Sequence, residues 1–194
     1  TIQAAIDYAS EGDTVLVHPG TYFGSGDAVI DPKGKAILIE SSGTAADTII
    51  DGQGFRRGIK MDSNETSDTV ISGFTIRSCY ASNGAGIYCY YSDPTILDCV
   101  IDGNYGFSSG SSYDGGIGVY GWNSEMTLNG CIISNNTFTS GTPGAMGTGA
   151  GVKFEGSSSF GSYKPTMTLC LVDGNEASNV NTNVGGVYVY GDCE

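Results

Sequence analysis

Positive charge is scarce in this chain of 194 residues: Lys and Arg number 8 against 21 Asp and Glu, for a formal charge of −13 and an isoelectric point near 4.1. A nucleic-acid backbone requires a basic face, so that class of partner is excluded. Histidine occurs once, as His18, and no CxxC or paired Cys/His spacing is present, which leaves no zinc motif. Ser/His/Asp chemistry likewise lacks a partner set. No apolar run approaches the ~18–20 residues of a membrane helix, and no charged, apolar and small-residue leader opens the chain. Thr1 already lies in structure-forming sequence, so we expect a removed leader or a longer parent chain.

What the chain has in excess is glycine (31 residues), tyrosine (12) and repetition. Hydrophobic residues at 39% argue against disorder, and the length suffices for one domain with a substantial core. The phrase TILDCVIDGN (95–104) returns as TLNGCIISNN (127–136) and TMTLCLVDGN (166–175), with earlier relatives VISGFTIRSC (70–79) and TIIDGQ (48–53). Alignment places Ile50, Ile76, Ile101, Ile133 and Val172 in one column and Phe74, Cys99, Cys131 and Cys170 in a second. A third column holds Gln53, Cys79, Asn104, Asn136 and Asn175, preceded by Gly52, Gly103 and Gly174. A second phrase alternates with the first: GIKMD (58–62), GIYCY (86–90), GIGVY (116–120), GVKFE (151–155) and GVYVY (186–190). Its period of two puts Ile59, Ile87, Ile117, Val152 and Val187 on the buried side with Met61, Cys89, Val119, Phe154 and Val189.

Copies begin 25 to 39 residues apart, which is a repeat array and not a compact sandwich with two-residue hairpin turns. Each strand is expected to pair with its own copy one repeat later, in the same direction, with rungs ~4.8 Å apart. Isoleucine then stacks on isoleucine, and asparagine amides satisfy one another along a ladder at a turn where glycine supplies the positive φ. In TIQAAIDYASEGD, Ile2, Ala5, Ile6 and Ala9 form the apolar stripe of a short helix ended at Gly12, suited to cover the first coil. The expected division is a cap over 1–12 and coils over 13–194.

This opening, with the Gly-Gly-Ile and Asp-Gly-Asn phrases, resembles the right-handed parallel β-helix proteins of the pectin-lyase-like superfamily, along essentially the whole chain. The resemblance implies an all-β, right-handed parallel β-helix with a short N-terminal amphipathic capping helix. Because unrelated activities share that scaffold, it implies little about chemistry. Several members cleave or epimerise acidic polysaccharides, using Ca²⁺ or Arg against the carboxylate and Arg or Lys as base on outward strand positions. Matching candidates are Lys60, Arg77 and Lys153, with Arg56 and Arg57 in the GFRRGIK turn. Lys60 is expected in an outward column with Tyr88, Gly118, Lys153 and Tyr188, three rungs from Lys153, while Arg77 lies between Asp51 and Asp102 in an ionic ladder. No aspartate cluster with a downstream RxxPxxR signature is found, nor an Asp-Pro-His arrangement, and His18 reads as a turn residue. Asp51, Asp102 and Asp173 start the outward turns; Ca²⁺ would suit such oxygens, and a solvated acidic edge is the simpler account. No other cofactor is implied.

The binding reading rests on Tyr88, Tyr90, Tyr91, Tyr120, Trp122, Tyr188 and Tyr190, all expected outward on one sheet, interrupted by Lys153 and Glu155. Such a stripe suits a polysaccharide or a protein partner, and tyrosine is also simply a good β-former on an exposed strand. The Gly/Ser/Thr-rich stretches 105–115, 137–150 and 157–165 are expected as loops at the corners. Cys99, Cys131, Cys170 and Cys89 are expected as inward free thiols, since parallel Cβ vectors a rung apart are too distant for a disulfide; partners for Cys79 and Cys193 stay open. Two sequons, at Asn64 and Asn135, would be glycosylated in a eukaryotic secreted protein. The last strand copy, GVYVYGDCE, carries no capping element, so head-to-tail self-association into a fibre is a further expectation. The class expected is an extracellular or cell-surface structural or adhesive module, with a polysaccharide-active enzyme as the alternative.

Overall fold

The computed structural model describes residues 1–108, 114–140, 149–157, 163–178 and 185–191. After a seven-residue helix, α1 (Ile2–Tyr8), the chain winds through six coils. Coil 1 is β1 (Thr14–Val17), β2 (Gly20–Tyr22) and β3 (Ala28–Ile30); coil 2 is β4 (Leu38–Ser41), β5 (Thr48–Asp51) and β6 (Arg57–Met61). Coil 3 is β7 (Val70–Ser72), β8 (Thr75–Arg77) and β9 (Ile87–Tyr90). From coil 4 onward a further strand appears: β10 (Thr95–Leu97), β11 (Val100–Asp102), β12 (Tyr105–Ser108) and β13 (Val119–Trp122). Coil 5 is β14 (Thr127–Asn129), β15 (Ile132–Ser134), β16 (Thr137–Ser140) and β17 (Val152–Gly156). Coil 6 is β18 (Thr166–Thr168), β19 (Leu171–Asp173), β20 (Glu176–Ser178) and β21 (Val187–Gly191).

Every pairing is parallel and joins a strand to its copy in the next coil. The first sheet is β1-β4-β7-β10-β14-β18, the second β2-β5-β8-β11-β15-β19 and the third β3-β6-β9-β13-β17-β21, with β12-β16-β20 as a short fourth. The expected column is present residue for residue, as Ile50 faces Ile76, then Ile101, Ile133 and Val172. The four isoleucines are wholly buried. The core is therefore one filament of stacked side chains running the length of the coil.

Two of the expected loops open as structure. Residues 105–108 and 137–140 are strands of the fourth sheet, because the alternation Tyr-Gly-Phe-Ser and Thr-Phe-Thr-Ser buries Phe138 and both serines. The remainders, 109–113 and 141–148, and 158–162 in the third stretch lie outside the described residues, as does Cys193.

The asparagine column accounts for the repeated corner. Asn104 Nδ2 donates to Asn136 Oδ1 at 2.9 Å, and Asn136 Nδ2 donates to Asn175 Oδ1 at 2.9 Å. The same oxygens accept the backbone N–H of the preceding rung, from Cys79, Asn104 and Asn136 at 2.9, 3.1 and 3.0 Å. Each Nδ2 also reaches back to the carbonyl of Ile76, Ile101 or Ile133. One side chain thus closes the corner of its own coil and ties it to both neighbours. The residue before each ladder position is left-handed: Ser78, Gly103, Asn135 and Gly174 have φ between 52° and 64°.

Coil 2 departs from the expected column. Its corner has one residue more, so the left-handed positions are Gln53 (φ 57°) and Gly54 (φ 79°), and Gln53 is exposed outside the ladder. Gly52 has no positive φ; a Cβ there would lie 2.6 Å from Cys79 Cα. The ladder begins at Cys79.

The second phrase is also shifted at 116–120 by two residues. Val119, not Ile117, faces Ile87 and Val152, and Gly121 stands between Cys89 and Phe154. The cause is volume: a Cβ on Gly121 would lie 2.9 Å from the Phe154 ring, so the phenyl group occupies the space that glycine leaves. The equivalent glycines are Gly58, Gly86, Gly118, Gly151 and Gly186, linked by the backbone bonds of successive coils. A Cβ at Gly118 would meet Gly151 O at 2.5 Å and Asn136 Nδ2 at 2.9 Å. The glycine column and the asparagine ladder are therefore pressed together.

Helix α1 ends at Tyr8 and not at Gly12, with Ile2 and Ile6 buried and Ala5 exposed. It is fastened to the coils by polar contacts. Gln3 exchanges two hydrogen bonds with the Asp31 backbone, and Lys35 Nζ donates to the carbonyls of Ile6, Asp7 and Ala9 at the helix end. A lysine there complements the carbonyl end of the helix.

The ladder yields the first prediction. Asn136→Ala leaves the buried Asn104 backbone N–H without its acceptor and its side-chain amide with the Ile76 carbonyl alone, a loss of about 2–3 kcal/mol that should lower Tm by about 5–10 °C. Thermal denaturation followed by circular dichroism reads this, and an unchanged Tm would show that the ladder contributes nothing.

Candidate functional site on the outward tyrosine face

The outward positions of the third sheet form two columns. Lys60, Tyr88, Tyr120, Lys153 and Tyr188 face one another in order, so Tyr120 takes the place expected of Gly118. Beside them run Tyr90, Trp122, Glu155 and Tyr190. All seven aromatic candidates except Tyr91 lie in these columns, and Tyr91 follows directly after β9.

Their environments differ sharply. Tyr90 and Tyr190 are 39% and 62% exposed, and Tyr88, Tyr91, Trp122 and Tyr188 are half-buried. Tyr120, expected wet, is only 3% exposed, and Lys153 and Glu155 are 0% and 6% exposed. The middle of the face is a buried polar knot. Lys153 Nζ lies 3.0 Å from Glu155 Oε1 and donates to the Asp114 carbonyl at 3.2 Å, while Tyr120 donates its hydroxyl to Glu155 Oε2 at 2.8 Å. Burial, and then the Glu155 carboxylate, push the Tyr120 phenol far above its ordinary value. The knot divides the stripe into a patch on coils 3 and 4 and a pair, Tyr188 and Tyr190, on coil 6.

The rings also pack on one another. Tyr88 stacks on Tyr90 at 6.3 Å with planes 7° apart and on Tyr120 at 5.6 Å with planes 15° apart. Tyr188 repeats this with Tyr190 at 6.4 Å and 9°. Tyr90 also meets Tyr91 edge-on at 4.6 Å. The rings are filed face to face, not laid flat, and they leave edges and hydroxyls for other contacts.

The cationic candidates are all engaged. Lys60 sits 3.0 Å from Asp62 and 3.6 Å from Asp27, and its hydrogen bond to Asp62 raises its pKa, while Arg77 pairs with Asp51 at 3.4 Å. Arg56 donates to Gln53 and to the Gly26 carbonyl. Arg57 lies over the Tyr88 ring at 4.6 Å and donates Nη2 to Asn83 at 2.7 Å; burial lowers its pKa. No residue of this set stands free as a base. His18, at the turn between β1 and β2, shares a hydrogen bond with Ser42 and is exposed.

The acidic turns are occupied by protein donors as well, since Asp102 accepts from Ser134 and Asn135 at 2.7 Å each. Among the described residues no group of three or more His, Cys, Asp or Glu is placed to hold a metal ion. Cys79, Cys89, Cys99, Cys131 and Cys170 carry free thiols, the first four buried. Burial pushes Cys79, Cys99 and Cys131 up to about 12, which keeps them protonated and inert.

Sequence reasoning passed over one feature here. Among the described residues only Arg57 Nε and Asn123 Nδ2 are buried side-chain polar atoms without a hydrogen-bond partner. Both border the tyrosine file, one over Tyr88 and one directly after Trp122, in the coil next to Tyr91. Asn123, with φ 46°, shares its left-handed corner with Asn64 and Tyr91. An asparagine in a turn carries no sequence signal of ligand contact.

Parallel strands stacked coil on coil, with left-handed corners and a laddered core, define the class: this is a parallel β-helix. The chain belongs to the family described as right handed beta helix region, whose profile matches residues 26–194. No curated protein and no solved structure matches it. Among the described residues no helix is long and apolar enough to cross a membrane.

The knot generates a prediction. Lys153→Met leaves the Glu155 charge buried without its cation and should cost about 3–5 kcal/mol, whereas Lys153→Met with Glu155→Gln should recover most of that. Denaturant unfolding of both variants checks it; equal losses would mean that the two side chains do not act as a pair.

Proposed function

We propose that this β-helix is an extracellular or cell-surface recognition module that holds a glycan on the tyrosine patch of coils 3 and 4. The observation that carries the reading is a cluster of partly exposed tyrosines, Tyr88, Tyr90 and Tyr91, on a parallel sheet where Lys60 is paired with Asp62 and Arg57 is held by Asn83 and the Tyr88 ring. Interface and sugar contacts are dominated by such amphipathic rings, with one polar tip and an apolar body. The enzyme reading loses its support on this face. Lys153 is buried against Glu155, and Lys60 and Arg77 are paired with carboxylates, so the cations expected to act as base are engaged. Tyr90→Ala combined with Tyr91→Ala should abolish retention on insoluble polysaccharide without lowering Tm appreciably. Retention equal to that of the parent chain would overturn the reading, and release of an unsaturated uronate, seen by ultraviolet absorbance, would restore the enzyme.

Self-association through coil 6 is the second reading. It rests on Leu171, Val187 and Val189, which are exposed there on β19 and β21, the outermost of the described strands. Light scattering should show a mass that rises with concentration, and Val189→Lys should return it to the monomer. A constant monomer mass would dismiss this reading.

A further inference from the structure

The recognition reading of the tyrosine patch leaves the ligand's charge open, and the surroundings of the patch decide it. We infer that the site is built for an uncharged glycan, not for a uronate polymer, and this rests on the proposed function of the same face. Three independent features converge.

The first is the allocation of positive charge. Of the eight cations in the chain, Lys33 pairs with Asp7, Lys35 holds the end of α1, and Arg56, Arg57, Lys60, Arg77 and Lys153 are engaged as described. Lys164 also has a partner. Lys60 and Lys153 in the outward column are each paired with a carboxylate, and the Arg57 guanidinium is held between Asn83 and the Tyr88 ring, so a carboxylate on every sugar would have to displace a partner already in place. The second is the rim. Asp62 continues the strand beside Tyr90, and exposed Asp93 and Glu125 stand past Tyr91 on successive coils, joined by Glu125 N to Asp93 Oδ1 at 2.6 Å. Asp93 follows Tyr91 by two residues and Glu125 follows Trp122 by three, so these charges border the aromatic patch. Carboxylates accept hydroxyl groups well and repel anions.

The third is an unsatisfied donor. Asn123 Nδ2 has no acceptor, while its Oδ1 is held by Ser157 N, and the side chain is only 2% exposed directly after Trp122. A buried donor left unpaired is costly. A ligand rich in hydroxyl groups supplies an acceptor to this amide and donors to the rim at once, and a neutral polysaccharide has both in every sugar. A basic polypeptide would match the rim but offers a donor where Asn123 already presents one.

The test is affinity electrophoresis of the whole chain through gels holding galactomannan, hydroxyethyl cellulose, polygalacturonate or poly-lysine. Retardation is expected in a neutral gel, with an affinity that does not change between low and high salt, because no charge pairing is involved. Tyr90→Ala and Asn123→Asp, which keeps the acceptor for Ser157 N but removes Nδ2, should each weaken it about tenfold, the equivalent of one lost ring contact or hydrogen bond. Thermal denaturation of each variant separates loss of the site from loss of the fold, and the salt series on the parent chain reads the ligand's charge without any variant. Retardation by polygalacturonate alone overturns this inference while leaving the recognition reading intact. Retardation by poly-lysine alone overturns it in favour of a basic protein partner, and no retardation in any gel removes both.

Discussion

A buried asparagine that must satisfy every polar atom of its amide is the constraint on which this fold depends. Asn104 and Asn136 can do so only if the next coil places the same residue one rung away and the preceding coil offers its isoleucine carbonyl. That requirement sets the coil-to-coil register at one corner, and the backbone carries it around the remaining faces. The glycine column follows, because only hydrogen fits between the ladder and the next backbone at Gly86, Gly118 and Gly151. Loops of unequal length are tolerated elsewhere because the corner has already fixed the pairing.

A register fixed in this way converts sequence differences between coils into local surface chemistry. The outward column of the third sheet reads Lys60, Tyr88, Tyr120, Lys153, Tyr188, so a cation, a file of rings and a buried ion pair succeed one another along one line. Cation–ring contacts brace it at two points, Arg57 over Tyr88 and Lys153 near Tyr120. A chain with few cations thus spends those it has on its own structure, and the surface that remains is acidic and hydroxyl-rich. A face of that kind is suited to recognition by hydrogen bonding and shape, and poorly suited to neutralising an anionic substrate.

Much of the coil was legible before any coordinates. The Ile50-to-Val172 column, the inward thiols and the asparagine ladder follow from equal spacing, since identical residues in a parallel stack must face one another. The misreadings have physical causes. GIGVY resembles GIYCY by letter, yet Phe154 needs the void at Gly121 and draws Val119 against Ile87, a contact between coils that local pattern does not contain. The added residue in the Gln53 corner breaks a gapless alignment in the same manner.

The amino-acid order by itself determined the architecture, because a repeat can bury its apolar face only against its own copies, and that logic is local and periodic. Which outward side chains meet water was decided by the tertiary structure alone. Alternation says that Tyr90, Tyr120, Lys153 and Glu155 point away from the core, but only packing beyond the strand determines that the first is wet and the other three are sealed. The pairing of Arg57 with Tyr88 and the orphaned amide of Asn123 belong to the same category, since both depend on contacts between coils more than twenty residues apart.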